Sequence, residues 1–226
     1  MSSLPSLSGV KNAARVIKDI IEETPFQFNE RISNELNCNV YLKREDLQQV
    51  RSFKIRGAYN KINSIVVKAR KNGVVCASAG NHAQGFALAC SSLRIQGQVY
   101  MPTTTPKQKI EQVKTFGKNY VKVELIGDFF DDCQSIAIDF AKQNNKIFIH
   151  AFDDIKVIEG QGTTALEILN QFDKQLDYLF VPIGGGGLIS GVLTVFKELS
   201  PKTKIIGVEP SGAKAMKKSL EKGKLY

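Results

Sequence analysis

Short apolar runs alternate with helix-period segments along nearly the whole chain. Val74-Val75-Cys76-Ala77 is a continuous apolar run of strand length, and it predicts a buried strand. A helical pattern follows from Asn81 to Leu93. Gln98 to Met101 predicts a second strand stopped by Pro102, and Pro106 suits the first turn of a helix reaching Phe116. Tyr120 to Leu125 alternates Val and Lys, the pattern of a less buried edge strand. Asp128 is placed to cap a helix through Lys142, and Ile147 to Ile149 closes the block.

A second block repeats the rhythm. A helix is expected from Gly160 to Phe172, a strand from Tyr178 to Ile183, a glycine run, then a helix from Leu188 to Glu198. Lys204 to Val208 reads as another strand and Ala213 to Lys222 as another helix, with Gly223 as its stop. Repeated strand-helix-strand units predict an α/β fold with parallel sheets and helices on both faces. Ligands of such folds bind beyond the carboxyl ends of the strands.

Three segments carry chemistry. They are Ser52-Phe53-Lys54-Ile55-Arg56-Gly57-Ala58, Ser78-Ala79-Gly80-Asn81-His82, and Gly184-Gly185-Gly186-Gly187-Leu188. Each is read as a strand-to-helix junction, so that one cleft collects all three. A lysine desolvated in a cleft has a lowered pKa, and its free amine attacks an aldehyde. A glycine-rich loop feeding a helix N-terminus holds a phosphate. One common molecule carries both groups, pyridoxal 5'-phosphate. Each motif also has a plainer reading: a surface lysine, a ligand-free turn, and a helix cap made by Ser78 and Asn81. A dinucleotide fingerprint fits only if the glycine spacing is shifted, and no acidic residue closes a suitable second strand.

With Val40-Tyr41-Leu42-Lys43-Arg44-Glu45-Asp46-Leu47-Gln48 leading into Ser52-Phe53-Lys54, the chain resembles the fold-type II pyridoxal-phosphate enzymes from about Thr24 to Tyr226. That group includes threonine dehydratase, serine dehydratase, serine racemase and threonine synthase. Val50-Arg51 stands where catabolic dehydratases and racemases carry Thr-Gly, which is more similar to the biosynthetic threonine dehydratases of the isoleucine pathway. The resemblance implies a tryptophan synthase β-like fold of two parallel-sheet, three-layer domains. A smaller domain, 53–149, would be inserted into a larger one, 1–52 and 150–226, with the cofactor between them.

By the same resemblance Lys54 is the catalytic, cofactor-binding lysine and Phe53 packs beside the cofactor. Asn81 hydrogen-bonds the ring hydroxyl, and Gly184, Gly185, Gly186, Gly187 and Leu188 hold the phosphate. Ser78, Gly80, Asn81 and His82 cup the substrate carboxylate, with His82 shaping the loop rather than acting as a base. Ala79 stands where family racemases have a serine, and alanine moves no proton, which favours elimination. The implied reaction converts L-threonine, and by extension L-serine, through dehydration and deamination; threonine gives 2-oxobutanoate and ammonia. Alternatives are an inactive cofactor-binding fragment, a serine dehydratase and a cysteine-synthase-like enzyme.

The family's catalytic domain continues past the position of Tyr226, so the larger domain is expected to be incomplete. Exposed sheet edges and apolar faces would follow, with a homo-oligomer or a partner chain covering them. Ser211, in Glu209-Pro210-Ser211-Gly212-Ala213, resembles a segment near the family's pyridine-contacting serine but follows the glycine loop too closely. It is read as a helix cap.

Composition narrows the partners. The formal charge of +9 comes from 31 basic and 22 acidic residues, scattered and interleaved around Lys68, Lys71, Lys107, Lys109 and Lys114. The block from Lys214 to Lys224 has no stacking aromatics among its lysines, so no dedicated nucleic-acid stripe is expected. Cys38, Cys76, Cys90 and Cys133 show neither C-x-x-C nor zinc spacing, the pattern of free thiols and no metal. No apolar run approaches the roughly twenty residues of a membrane helix. No charged-then-apolar leader is visible, and a cytoplasmic location is expected.

Overall fold

A computed structural model describes residues 4–226. Helix α1 (Leu7–Ile17) is capped by Ser6, whose Oγ accepts the Gly9 N–H at 3.0 Å, and it buries Val10, Ala13 and Ile17 along one stripe. Strand β1 (Phe26–Phe28), helix α2 (Glu30–Leu36) and strand β2 (Tyr41–Lys43) follow. β1 and β2 pair antiparallel, from Phe26 opposite Lys43 to Phe28 opposite Tyr41. This small sheet is not anticipated by the parallel pattern. A 3-10 turn at Glu45–Leu47 and a bend through Arg51, at φ 58°, then deliver the chain to helix α3 (Lys54–Ser64). Lys54 therefore follows a turn and bend, and the expectation that it directly ends a strand is corrected: β2 is only three residues long and stops at Lys43.

Helix α4 (Val66–Asn72) leads into β3 (Val74–Ala77), α5 (Asn81–Leu93), β4 (Gly97–Met101), α6 (Lys107–Gly117), β5 (Val121–Leu125), α7 (Phe130–Gln143) and β6 (Ile147–Phe148). The four strands form one parallel sheet in the order β5-β4-β3-β6, with β5 at an edge as its Val/Lys alternation predicts. The pleat sends alternate residues to opposite faces. Val74, Cys76, Val99 and Met101 join a core with Ile55, Ile62, Phe86 and Ile110 from α3, α5 and α6. Val75, Ala77 and Tyr100 meet Cys133, Ala137 and Ala141 of α7.

Helix α8 (Ile155–Gln171), β7 (Tyr178–Pro182), α9 (Gly187–Leu199), β8 (Lys204–Val208) and α10 (Ala215–Lys222) complete the described chain. β7 and β8 pair in parallel along their length, Tyr178 opposite Lys204 and Pro182 opposite Val208. Their inner side packs Leu179, Val181 and Ile205 against α8 and α9. The outer side leaves Phe180 65 % exposed and Val208 47 % exposed.

Three local expectations are corrected. Helix α7 starts after Phe129, so Asp128 does not cap it and instead accepts the Thr103 hydroxyl at 2.9 Å. Helix α8 starts five residues before Gly160, because the Asp154 carboxylate accepts the N–H groups of Lys156 at 2.8 Å and Val157 at 3.2 Å. Ser211 is no cap: α10 begins after Lys214, and Glu209 takes the Met216 and Lys217 N–H groups at 2.9 Å each. Glu209 can reach back to the helix end from the strand terminus, while Ser211 lies on the intervening turn.

Candidate functional site

Lys54 is the first residue of α3 and is half-buried. Its Nζ donates to the Ala151 carbonyl at 2.8 Å and stands 5.4 Å from the centre of the Phe53 ring. Burial lowers its pKa to about 8. A large part of the population is thus a free amine at mildly alkaline pH, which is the nucleophilic form.

The second segment follows β3. The Ser78 N–H donates to the Tyr100 carbonyl at 3.0 Å, and its Oγ accepts the Gly80 N–H at 3.1 Å. Gly80 holds the N-cap position without a side-chain cap, so Ser78 shapes the approach and neither it nor Asn81 caps α5. The first N–H groups of a helix have no acceptor within it, and here they belong to Asn81 and His82. Asn81 is exposed, and a Cβ on Gly80 would meet nothing within 4 Å. His82 turns inward, 3 % exposed, with Nε2 3.2 Å from the Ile149 carbonyl and Nδ1 unpartnered. Burial, then the nearby Lys54 charge, pushes its pKa down to about 3. The imidazole is neutral and donates from Nε2, leaving only its backbone N–H at the helix end.

The glycine run joins β7 to α9. The Ile183 N–H still pairs with the Val208 carbonyl at 2.8 Å, after which Gly184 and Gly185 are exposed. Gly186 sits at φ 85°, the left-handed region glycine enters without strain, and directly precedes α9. A Cβ at Gly184 would meet nothing within 4 Å, whereas one at Gly187 would stand 2.9 Å from the Phe152 carbonyl oxygen. The loop thus keeps an open backbone surface at the positive end of a 13-residue helix. Leu188 points its side chain toward the α8–α9 core, so its contribution to the loop is its backbone.

A segment absent from the sequence-based candidates ties these parts together. Ile149 receives His82, Ala151 receives Lys54, and the Phe152 ring fills the space beside Gly185. Between them His150 accepts the Asp153 N–H at 2.8 Å and the Phe152 N–H at 3.3 Å on Nδ1. Its ring meets the Phe152 ring edge-on at 4.6 Å. The signal was available, because this strap leaves the carboxyl end of β6, where ligand sites of such sheets gather. Helix α5 also backs onto the lysine: a Cβ at Gly85 would stand 2.9 Å from the carbonyl carbon of Lys54.

A second unforeseen cluster lies on α3. The fully buried Arg56 grips Glu45 through Nε and Nη2 at 2.8 and 2.7 Å, and Glu167 through Nη1 and Nη2 at 2.6 and 2.8 Å. Lys43 reaches Glu167 at 2.6 Å, so two cations face two carboxylates. Burial pushes Glu45 upward, but the Arg56 hydrogen bonds and charge and the Thr24 hydroxyl outweigh it and hold the carboxyl below its ordinary range. This cluster anchors α3 two residues from Lys54.

A buried amine, an open glycine cradle and free helix-end N–H groups fit an anionic aldehyde. Among the described residues no cluster of His, Cys, Asp and Glu is arranged for a metal, the four cysteines are free, and no helix is long and apolar enough to cross a membrane.

Comparison with known proteins bears on this arrangement. The sequence pattern of the family described as "Pyridoxal-phosphate dependent enzyme" matches residues 17–226. The chain is 56 % identical over 213 residues to the biosynthetic L-threonine dehydratase IlvA of Halalkalibacterium halodurans, covering 94 % of this chain and 51 % of that one. It is 51 % identical to the Bacillus subtilis protein of the same name, covering 94 % and 50 %. The chain therefore spans about half the length of the curated relatives it matches. Among solved structures, the processed threonine deaminase isoform 2 of Solanum lycopersicum superposes with a TM-score of 0.90 at 42 % identity, over all of this chain and 66 % of that one. Maize serine racemase superposes at 0.92 with 31 % identity, over 98 % and 66 %.

Proposed function

The chain belongs to the pyridoxal-phosphate dependent enzymes, and from that premise we propose that it serves the deamination of L-threonine to 2-oxobutanoate and ammonia, the first step of isoleucine biosynthesis. The observation that carries this reading is the Lys54 amine, its pKa lowered by burial, hydrogen-bonded to the strap whose next residue seats the glycine loop. The curated relatives named biosynthetic threonine dehydratases support the choice of reaction.

In this reading the backbone of Gly184 to Leu188 and the positive end of α9 hold the cofactor phosphate. Phe53 packs beside the ring and Asn81 bonds its hydroxyl. When bound, the cofactor supplies an electron sink for negative charge at the amino acid's Cα. Lys54, as a free amine, takes the Cα proton. Ser78 Oγ and the N–H groups of Gly80, Asn81 and His82 orient the substrate carboxylate. Ala79 has no proton to give to the opposite face, so loss of the β-hydroxyl is favoured over racemisation.

In this reading the cofactor would lie between the unit 53–149 and the flanks 1–52 and 150–226, in a cytoplasmic setting. L-serine is accepted too, since one methyl group is worth only about 1–3 kcal/mol of discrimination. A second copy or a further chain covers the outer face of β7 and β8. The test is to supply the chain with pyridoxal phosphate and threonine and measure 2-oxobutanoate. Product that disappears in Lys54→Ala is expected; equal turnover in that variant overturns the scheme.

A further inference from the structure

We infer that His150 is a positioning residue, which through the strap Ile149–Phe152 holds the glycine loop in shape while its imidazole is neutral. The structural half of this inference stands on the chain alone; its consequence for phosphate binding rests on the cofactor reading above.

His150 Nδ1 is an acceptor, taking the Asp153 N–H at 2.8 Å and the Phe152 N–H at 3.3 Å. An accepting Nδ1 requires the proton to be on Nε2 alone. A protonated imidazole carries a hydrogen on both nitrogens and can accept neither bond. Those two bonds, with the edge-on ring contact at 4.6 Å, set the place of Phe152. Phe152 in turn fills the space beside Gly185, and its carbonyl oxygen lies so close to Gly187 that a Cβ there would stand 2.9 Å away. The strap also carries the Ala151 carbonyl that receives Lys54 and the Ile149 carbonyl that faces His82. A turn that opens at His150 therefore disturbs the loop and the lysine together.

The surroundings set when this happens. Burial and the Lys54 charge of α3 disfavour the His150 cation, while Asp153 and Asp154 on its own segment favour it. The buried His82 of α5 is the remaining titratable neighbour, and it stays neutral throughout the working range. Burial prevails, so His150 titrates below its ordinary value and the strap holds above about pH 6.5.

Two variants of the full chain test this. In His150→Asn, Oδ1 takes the place of Nδ1 and accepts at every pH; His150→Leu removes the acceptor. Amide hydrogen exchange of residues 150–156 and 183–188, corrected for intrinsic pH dependence, is followed from neutral pH downward through the acid range. Pyridoxal phosphate affinity is titrated by absorbance on the same samples. The wild type is expected to lose protection in acid, the Asn variant to keep it, and the Leu variant to lack it throughout. Affinity should follow, weaker by roughly fivefold to tenfold wherever the acceptor is lost. Protection that is indifferent to pH and to both substitutions overturns the inference. If the expected exchange pattern occurs but the wild type binds no pyridoxal phosphate, the cofactor reading fails and the strap stands. If the Leu variant does not fold, a wild-type acid response that persists in the Asn variant overturns the inference, and its disappearance there upholds it.

Discussion

Lys54 makes the sharpest prediction for a single side chain. With its pKa lowered to about 8, its reactivity toward an acylating reagent should rise with pH and level off soon above 8. Competitive labelling with peptide mapping reads this directly, and a titration centred near the ordinary lysine value of about 10.4 would contradict it. His82 makes a second, through stability. Its folded pKa of about 3 lies below the unfolded value, so the unfolded chain binds the extra proton. The stability it contributes is complete above about pH 6.5 and is lost as pH falls toward 3. Urea midpoints should fall across that window more steeply in the wild type than in His82→Gln, which keeps a donor for the Ile149 carbonyl. Lys54 and the glycine run were legible in the sequence because their chemistry is local, an amine at a helix start and bare backbone before another. The Phe152 ring beside Gly185 and the Arg56 pair with Glu167 were not, since each joins residues far apart along the chain that only the folded backbone brings near. His150 shows in the sequence only as a position past the carboxyl end of β6, its bonds to the Phe152 and Asp153 N–H groups being turn geometry.

At the scale of elements, glycines that look like breakers prove to be contact points. A Cβ on Gly160 would stand 2.6 Å from the Arg56 carbonyl oxygen and from the Gly57 Cα, and one on Gly162 2.9 Å from the Gly191 carbonyl oxygen. These glycines let α3, α8 and α9 cross at close range, so Gly160→Ala forces helices apart rather than gaining helix propensity. A loss of about 1–3 kcal/mol is expected, read as a lowered melting temperature; an unchanged or raised value would refute the crossing. The same glycines explain why the start of α8 was misplaced, while β3, α5 and β8, whose ends are marked by clear pattern changes, match their predicted limits. The Arg56 cluster makes the complementary prediction. Arg56→Met leaves Glu45 buried without its cation and should cost about 3–5 kcal/mol in denaturant unfolding. A loss below about 1 kcal/mol would mean that Lys43 and water suffice.

For the molecule as a whole, the alternation of strands and helices predicted the parallel sheets, and the antiparallel β1–β2 pair escaped because three-residue strands carry too little pattern. The outer side of β7 and β8 is the larger consequence. The register places Tyr178, Phe180 and Pro182 on one surface with Ile206 and Val208, and Phe180 is 65 % exposed. An apolar surface of this kind favours association. Sedimentation should show concentration-dependent self-association that Phe180→Lys reduces; a monomer at all concentrations would contradict this.

Under the proposed function, Lys54 and the loop from Gly184 to Leu188 form one cofactor site within this chain. The most direct measurement is to mix it with pyridoxal phosphate, reduce with borohydride, digest, and map the modified lysine by mass spectrometry. One dominant pyridoxyl group is expected on the peptide carrying Lys54, formed at low cofactor concentration and lost in Lys54→Ala. Label spread over surface lysines, or none, would contradict it.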